Sequence, residues 1–381
     1  MYSRREAQVG KWWRQIDGLS LIITFVIISV GLVLVITASP SVAERVGLPP
    51  FYFVYRHICY VIISSIVMLI ISTLDEVVIK RLCLLGFFAS LILLFAVLFL
   101  GDEAKGARRW ISLFGVSTQP SELLKPFYSI FIAILLSEMC NVSQKKKFLL
   151  CIAIHLIIAS LILMQPDFGM AMTISLVTAG QFFVAGLSLA LLISSAILLC
   201  LMATGAYLFL PHVRKRIESF LSDDIGTNYQ IGKSLESYIQ GGFLGKGPGE
   251  GTVKLVLPDA HTDFIFAVVG EEFGSFSCFL VLALFAILVL HGIMRLTLSN
   301  NLFRIYSATG ILMYFAIQSI FNIGVTLHLF PTKGMTLPFI SYGGSSMLSF
   351  AFAIGIYLGI TKHHNKLYHS ITTRTQHALP L

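Results

Sequence analysis

Residues 257–274 read LPDAHTDFIFAVVGEEFG. A helix-breaking proline comes first, then His261, Thr262 and Asp263, then an apolar run that carries Glu271 and Glu272 side by side and continues to about Leu290. If a helix starts at Asp263, Glu271 lies ~12 Å deeper at ~1.5 Å per residue. At ~100° per residue it falls near the Asp263 face, whereas Glu272 points almost the opposite way. Lipid cannot surround both glutamates, so the span must be enclosed by protein or by a polar cavity. Ionisable residues inside a span are costly and mark functional pathways. An ion pair or hydrogen-bonded knot between helices suits Glu271 and Glu272 better than catalysis does. Asp263 differs because it borders water. It is either a helix N-cap, with Thr262 competing, or a carboxylate that desolvation lifts toward the general-base range.

The composition makes lipid the solvent. Of 381 residues, 56% are hydrophobic and 12% charged, with mean hydropathy +0.85, where a soluble domain carries about 25% charged residues. Apolar stretches of about 20 residues recur along the chain. Ten are expected, near 18–39, 53–73, 82–100, 121–139, 148–164, 169–187, 189–210, 264–290, 305–330 and 343–361. The fold class is therefore an all-α integral membrane protein of about ten transmembrane helices. It forms one polytopic domain over 1–381, with tails at 1–17 and 362–381 and one large extracytoplasmic loop, 211–262, between spans 7 and 8. The first run is too long for a signal-peptide core and is read as retained. The six cysteines lie in or beside apolar runs without a pairing pattern and read as small core hydrophobes.

An even number of spans puts both termini on one side, and their Lys and Arg make that side cytoplasmic. The 27 Lys and Arg nevertheless divide almost evenly between the two sides. The outside excess sits in Lys105, Arg108, Arg109, Lys125 and the basic residues of the long loop, where cations can hold an anion. That loop ends in QGGFLGKGPGEG, whose alternating glycines permit backbone conformations closed to other residues. Two further clusters lie on the same side. In KGARRWISLFGVSTQPSELLK (105–125), Arg108 and Arg109 either anchor to lipid headgroups or grip a pyrophosphate bidentately. Glu122 falls in the first turn of a helix that Pro120 and Ser121 open. In LFPTKGMTLPFISYGGSSM (329–347), prolines, glycines and hydroxyls, Ser345 among them, interrupt an apolar region and supply Lys333. Such breaks survive in a membrane only inside protein or along a cavity. QPDFG (165–169) reads as a turn in which Asp167 is a cap or turn residue. Cations, one water-edge carboxylate and a glycine segment on one face suit an anionic substrate with its tail in the membrane, a lipid-linked phosphate.

With GARRWI, QPSELLK, QPDFG, PDAHTDFIFAVVGEEFG and PTKGMTLPFISYGGSS in that order, the chain resembles the SEDS family (shape, elongation, division and sporulation), bacterial membrane proteins that polymerise peptidoglycan from lipid II. AHTDF and PTKG look more like its division branch than its rod-elongation branch. The resemblance implies ten spans, Asp263 as catalytic carboxylate, and substrate contacts at Arg109, Glu122, Lys125 and Lys333. Arg108, Lys246, His261 and Ser345 complete the candidate substrate set. One departure stands out: GKGPGEGTVKLVLP replaces the family's GxGxGxSxQKxxxLP, so Pro248 brings no amide donor and the Ser and Gln are lost. Lys254 of the KL pair remains.

The expected chemistry is glycosyl transfer, with Asp263 as base toward a sugar hydroxyl and Arg109, Lys333 and Lys246 stabilising the departing pyrophosphate. No protein-held metal site is expected, because Asp263 alone cannot form one. The scheme admits a divalent cation, Mg²⁺ or Mn²⁺, carried by the pyrophosphate. The resemblance implies as partners a class B penicillin-binding transpeptidase and division proteins, in a cytoplasmic membrane and with no nucleic acid. A lipid II flippase is the rival reading, and a scaffold that only recruits a synthase is the third. A flippase is disfavoured by the lack of internal repeats and by polar motifs gathered on one face.

Overall fold

The structure is a computed structural model that describes residues 12–104, 107–113, 116–139, 142–209, 211, 213, 214, 218, 229–331 and 334–362. Helices dominate, as expected. The first three, α1 (Gly18–Arg45), α2 (Tyr52–Thr73) and α3 (Glu76–Leu100), lead into a small β-meander. Four more follow: α4 (Pro120–Glu138), α5 (Gln144–Leu163), α6 (Phe168–Val184) and α7 (Leu189–Phe209). After the long loop, which carries α8 (Tyr229–Gly241), come α9 (Ile265–Leu296), α10 (Leu302–Thr326) and α11 (Gly344–Ile360). Among the described residues, seven helices (α1 to α5, α9 and α10) are long and apolar enough to cross a membrane. The others that occupy expected spans are α7 and the 17-residue α6 and α11.

Burial sorts the helices into an inner and an outer set. Helices α4 and α10 are buried along most of their length, while α2, α3, α5 and α9 bury about a third and turn large apolar side chains outward. Outward apolar faces fit a lipid solvent, where backbone polar groups must pair within the helix. α11 packs against α2 and α4, α10 against α4, α6 and α9, and α8 lies along α9. The main core joins Phe87, Tyr128, Phe315, Phe339, Phe350 and their neighbours. A smaller cluster under the 257–264 turn joins Ala38, Val42, Leu257, Ala260, Phe264 and Val268. Asp167 is the N-cap of α6, accepting from the Met170 amide at 3.0 Å. The five described cysteines are all free, and Cys140 lies outside the described residues.

Two features depart from the sequence reading. The segment after α3 forms three antiparallel strands, β1 (Asp102–Ala104), β2 (Ala107–Leu113) and β3 (Val116–Thr118), with Glu103 opposite Arg108 and Ile111 opposite Thr118. The two outer strands have three residues each, too few positions for a period of two to stand out.

The second departure is in α9, which is not one uninterrupted run. Gly274 breaks it with φ 78° and ψ 174°. The loop after α8 fills the break: Ser275 donates to the Gly242 carbonyl (2.9 Å) and Phe276 to that of Phe243 (3.2 Å). In return Lys246 and Gly247 donate to the carbonyls of Glu271 (3.0 Å) and Glu272 (2.9 Å). The loop thus supplies the partners that the missing turn would have supplied.

Candidate active site

Asp263 lies in a turn, outside the helix. The chain leaves Pro258, takes a left-handed residue at Asp259 (φ 54°) and closes with Thr262 and Phe264 donating to the Asp259 carbonyl at 3.1 and 3.2 Å. α9 begins at Ile265 with Phe264 at the N-cap and no side-chain cap bond, so Asp263 stands one residue ahead of the cap position. Three successive carbonyls instead anchor the turn. His261 accepts from the Tyr342 amide (2.9 Å), Thr262 from Ser341 Oγ (2.6 Å) and Asp263 from Asn322 Nδ2 (2.8 Å). Asn322 also donates to the Met335 carbonyl at 2.6 Å, tying α10 to the segment after the PTKG motif.

The Asp263 side chain is half-buried at this anchored point. A Cβ at Gly334 would stand 2.9 Å from its Oδ2, so a residue without a side chain lets the 334–343 segment approach the carboxylate. Lys333, the expected cation beside it, lies outside the described residues. A half-exposed carboxylate on a rigid backbone can accept a proton from a hydroxyl brought to it, which is the geometric requirement for a general base.

Glu122 and Lys125, expected to contact substrate, have partners within the protein. Both are buried, at 6% and 2% exposure, and they pair with each other at 2.6 Å. Lys125 Nζ also donates to Gln318 Oε1 (2.5 Å). Gln318 Nε2 in turn donates to the carbonyl (3.0 Å) and hydroxyl (3.2 Å) of Thr336, whose hydroxyl lies 2.6 Å from Ser346 Oγ. This chain braces α4 and α10 against the segment that faces Asp263. Lys125→Met should therefore leave Glu122 as an uncompensated buried charge and cost roughly 3–5 kcal/mol. Thermal unfolding in detergent checks this, with Glu122→Gln/Lys125→Met expected to regain much of the loss.

Other candidates are also committed to protein. Arg109 Nε donates to the Gln165 carbonyl (2.9 Å) and its Nη2 to that of Pro166, with Asp167 4.0 Å away. Arg109 holds the QPDFG turn, so of the adjacent pair only Arg108 is exposed. Lys246 donates to Gln240 and to Thr252 Oγ1 (2.9 Å) and lies 3.7 Å from Glu271. Ser345 is buried, and its Oγ accepts from the Gln119 amide at 3.4 Å, at the start of α4.

His261, also expected at the substrate, is packed among aromatic rings. Its ring is buried between Phe53 and Tyr342, with centroids 4.7 and 5.2 Å away. Burial pushes its imidazole down to about 4, so it is neutral near pH 7. The unfolded chain, with a His near ~6.5, then binds more protons than the folded one between those values. Stability should fall as pH drops through that window. A thermal midpoint that declines from pH 7 to pH 5, and declines less in His261→Phe, checks the assignment.

Sequence reasoning missed Gln318, Asn322, Ser341 and Tyr342. A signal for the first two was available, since polar side chains four residues apart in an apolar span share one helix face.

Comparison with known proteins agrees with the fold. The FtsW/RodA/SpoVE family model, described as cell cycle protein, matches residues 18–366. The chain belongs to this family. It is 33% identical over 361 residues to a probable peptidoglycan glycosyltransferase FtsW of Caulobacter vibrioides, covering 94% of this chain and 93% of that one. It is 36% identical to the protein of the same description in Coxiella burnetii, over 90% of this chain and 95% of the other. Among solved structures, a chain from work on structural coordination of polymerization and crosslinking by a peptidoglycan synthase complex superposes with TM-score 0.75. That chain is 24% identical, with 91% and 97% covered. The rod shape determining protein RodA of Thermus thermophilus gives TM-score 0.69 at 24% identity, with 92% and 97% covered. These two likenesses concern the fold. The FtsW descriptions agree with the division-branch resemblance of AHTDF and PTKG.

Proposed function

We propose that the chain is a peptidoglycan glycosyltransferase that polymerises lipid II into glycan strands at the outer face of the cytoplasmic membrane during septal wall synthesis. The observation that carries this reading is Asp263, a half-buried carboxylate on a turn held through three consecutive carbonyls. The curated relatives described as probable peptidoglycan glycosyltransferases support the reaction class. In this reading an even number of spans and the basic tails put both termini in the cytoplasm and the turn on the outer side.

In this reaction the 4-hydroxyl of one lipid II attacks the anomeric carbon of the growing strand. The new O4–C1 bond forms, the C1–phosphate oxygen bond breaks, and undecaprenyl pyrophosphate leaves. Asp263 takes the hydroxyl proton as the bond forms, a step worth about 10²–10⁴ in rate. Charge growing on the pyrophosphate calls for cations that act more strongly in the transition state than in the ground state. Arg109, Lys333 and Lys246 are the cations this reading assigns to that role, with Arg108 beside Arg109.

A divalent ion, Mg²⁺ or Mn²⁺, would be held by the pyrophosphate. The described residues bring no three His, Cys, Asp or Glu side chains together as a cage. A class B transpeptidase is the expected partner, a view supported by the synthase-complex likeness. The test is purified protein, with and without such a transpeptidase, given labelled lipid II, with polymer resolved on a gel and Asp263→Asn as the control.

A further inference from the structure

Glu271 and Glu272 stand in α9, and the mechanism above uses neither. Both are fully buried. Glu271 Oε1 accepts from the amides of Thr252 (2.6 Å) and Val253 (2.7 Å), and its Oε2 from the amide of Lys254 (3.1 Å). Three converging N–H groups make a nest for one carboxylate. Glu272 Oε1 forms an ion pair with Lys254 Nζ. The same ammonium donates to the carbonyls of Thr37 on α1 (2.9 Å) and Gly249 (3.0 Å). The two acids therefore do not face opposite environments, as a bare helical wheel requires. The loop wraps round the helix and offers backbone to one and an ammonium to the other.

Its position gives this contact a consequence for catalysis. The latched residues 252–254 begin the stretch that ends at Asp263. That stretch is held at its far end by Tyr342, Ser341 and Asn322. Between the two, Leu257 and Ala260 are fully buried, and the Leu257 carbonyl accepts from Arg45 Nη2 at 2.8 Å. Without the latch, the near end of the stretch has glycine-rich chain behind it, with left-handed glycines at 245, 247 and 249.

We infer that Glu271, Glu272 and Lys254 are positioning residues, which hold the near end of the 252–263 stretch so that the Asp263 carboxylate meets the acceptor hydroxyl in register. Misplacement of a reacting group by about 1 Å costs ~10²-fold in turnover. The inference rests on the glycosyltransferase reading for its kinetic consequence, and on geometry alone for the latch itself.

The test uses the full chain in detergent with Lys254→Met, Glu272→Gln and the double variant. It reads amide hydrogen exchange over 252–263, the thermal midpoint, and kcat and KM for lipid II. Each single variant should speed exchange in that stretch and lower kcat by ~10-fold or more, with KM within about twofold. In the double variant no unpaired charge remains buried, so the midpoint should recover while kcat stays low. Lys254→Arg should retain most of the turnover.

A double variant that regains wild-type kcat along with its stability overturns the inference, because the latch would then be structural only. Unchanged exchange in the single variants overturns it as well. Absence of polymer from the parent protein, with and without a transpeptidase, would instead sink the glycosyltransferase reading, and the exchange result would still stand.

Discussion

Asp263→Asn is expected to reduce glycan polymerisation from lipid II by ~10²–10⁴, the contribution of a positioned general base. The substitution is nearly isosteric. The Asp263 carbonyl that receives Asn322, and the neighbouring carbonyls that receive Ser341 and Tyr342, belong to the backbone and are unaffected. Amount and membrane insertion should therefore match the parent, and the loss should appear in kcat. Asp263→Glu keeps a carboxylate but moves it by one methylene, and a shift of about 1 Å is enough to cost ~10²-fold. Polymer formation by Asp263→Asn at the parent rate would remove Asp263 from the chemistry.

Gly274→Ala is expected to be strongly destabilising. At φ 78° and ψ 174°, Gly274 occupies a region open essentially to glycine alone. A Cβ there would stand 2.3 Å from the Phe243 carbonyl oxygen and 2.4 Å from the Gly245 amide nitrogen, both backbone atoms that cannot rotate away. Backbone strain and overpacking together predict a loss of roughly 2–6 kcal/mol. The contacts between the loop and the broken helix should weaken together, because Ser275 and Phe276 donate directly to that loop. Gly205→Ala on α7, with nothing within 4 Å of the new atom, is the control and should leave the thermal midpoint at or slightly above the parent value. Equal midpoints for the two variants would show that the loop does not depend on the break.

The sequence alone carried the membrane class, the approximate places of the helices and the family motifs, and it singled out Asp263 as an acid at the edge of a span. Each depends on local pattern, such as apolar runs long enough to span and a proline ahead of a polar turn. It also pointed to burial of Glu271 and Glu272, because a helix cannot turn two adjacent carboxylates to lipid. Partners were beyond it. The amides that hold Glu271 lie 17 to 19 residues away in the chain. Arg109 reads as a free anion grip until α6 and the turn before it are in place.

Only the tertiary structure decided which protein groups Arg109, Glu122, Lys125, Lys246 and His261 meet, and that a loop replaces the missing turn of α9. The physical reason is the solvent. In lipid a charge or an open backbone group must find its partner inside the molecule, and which partner comes within reach is settled by how distant segments pack. Local sequence shows that such a group needs one and is silent about where it comes from.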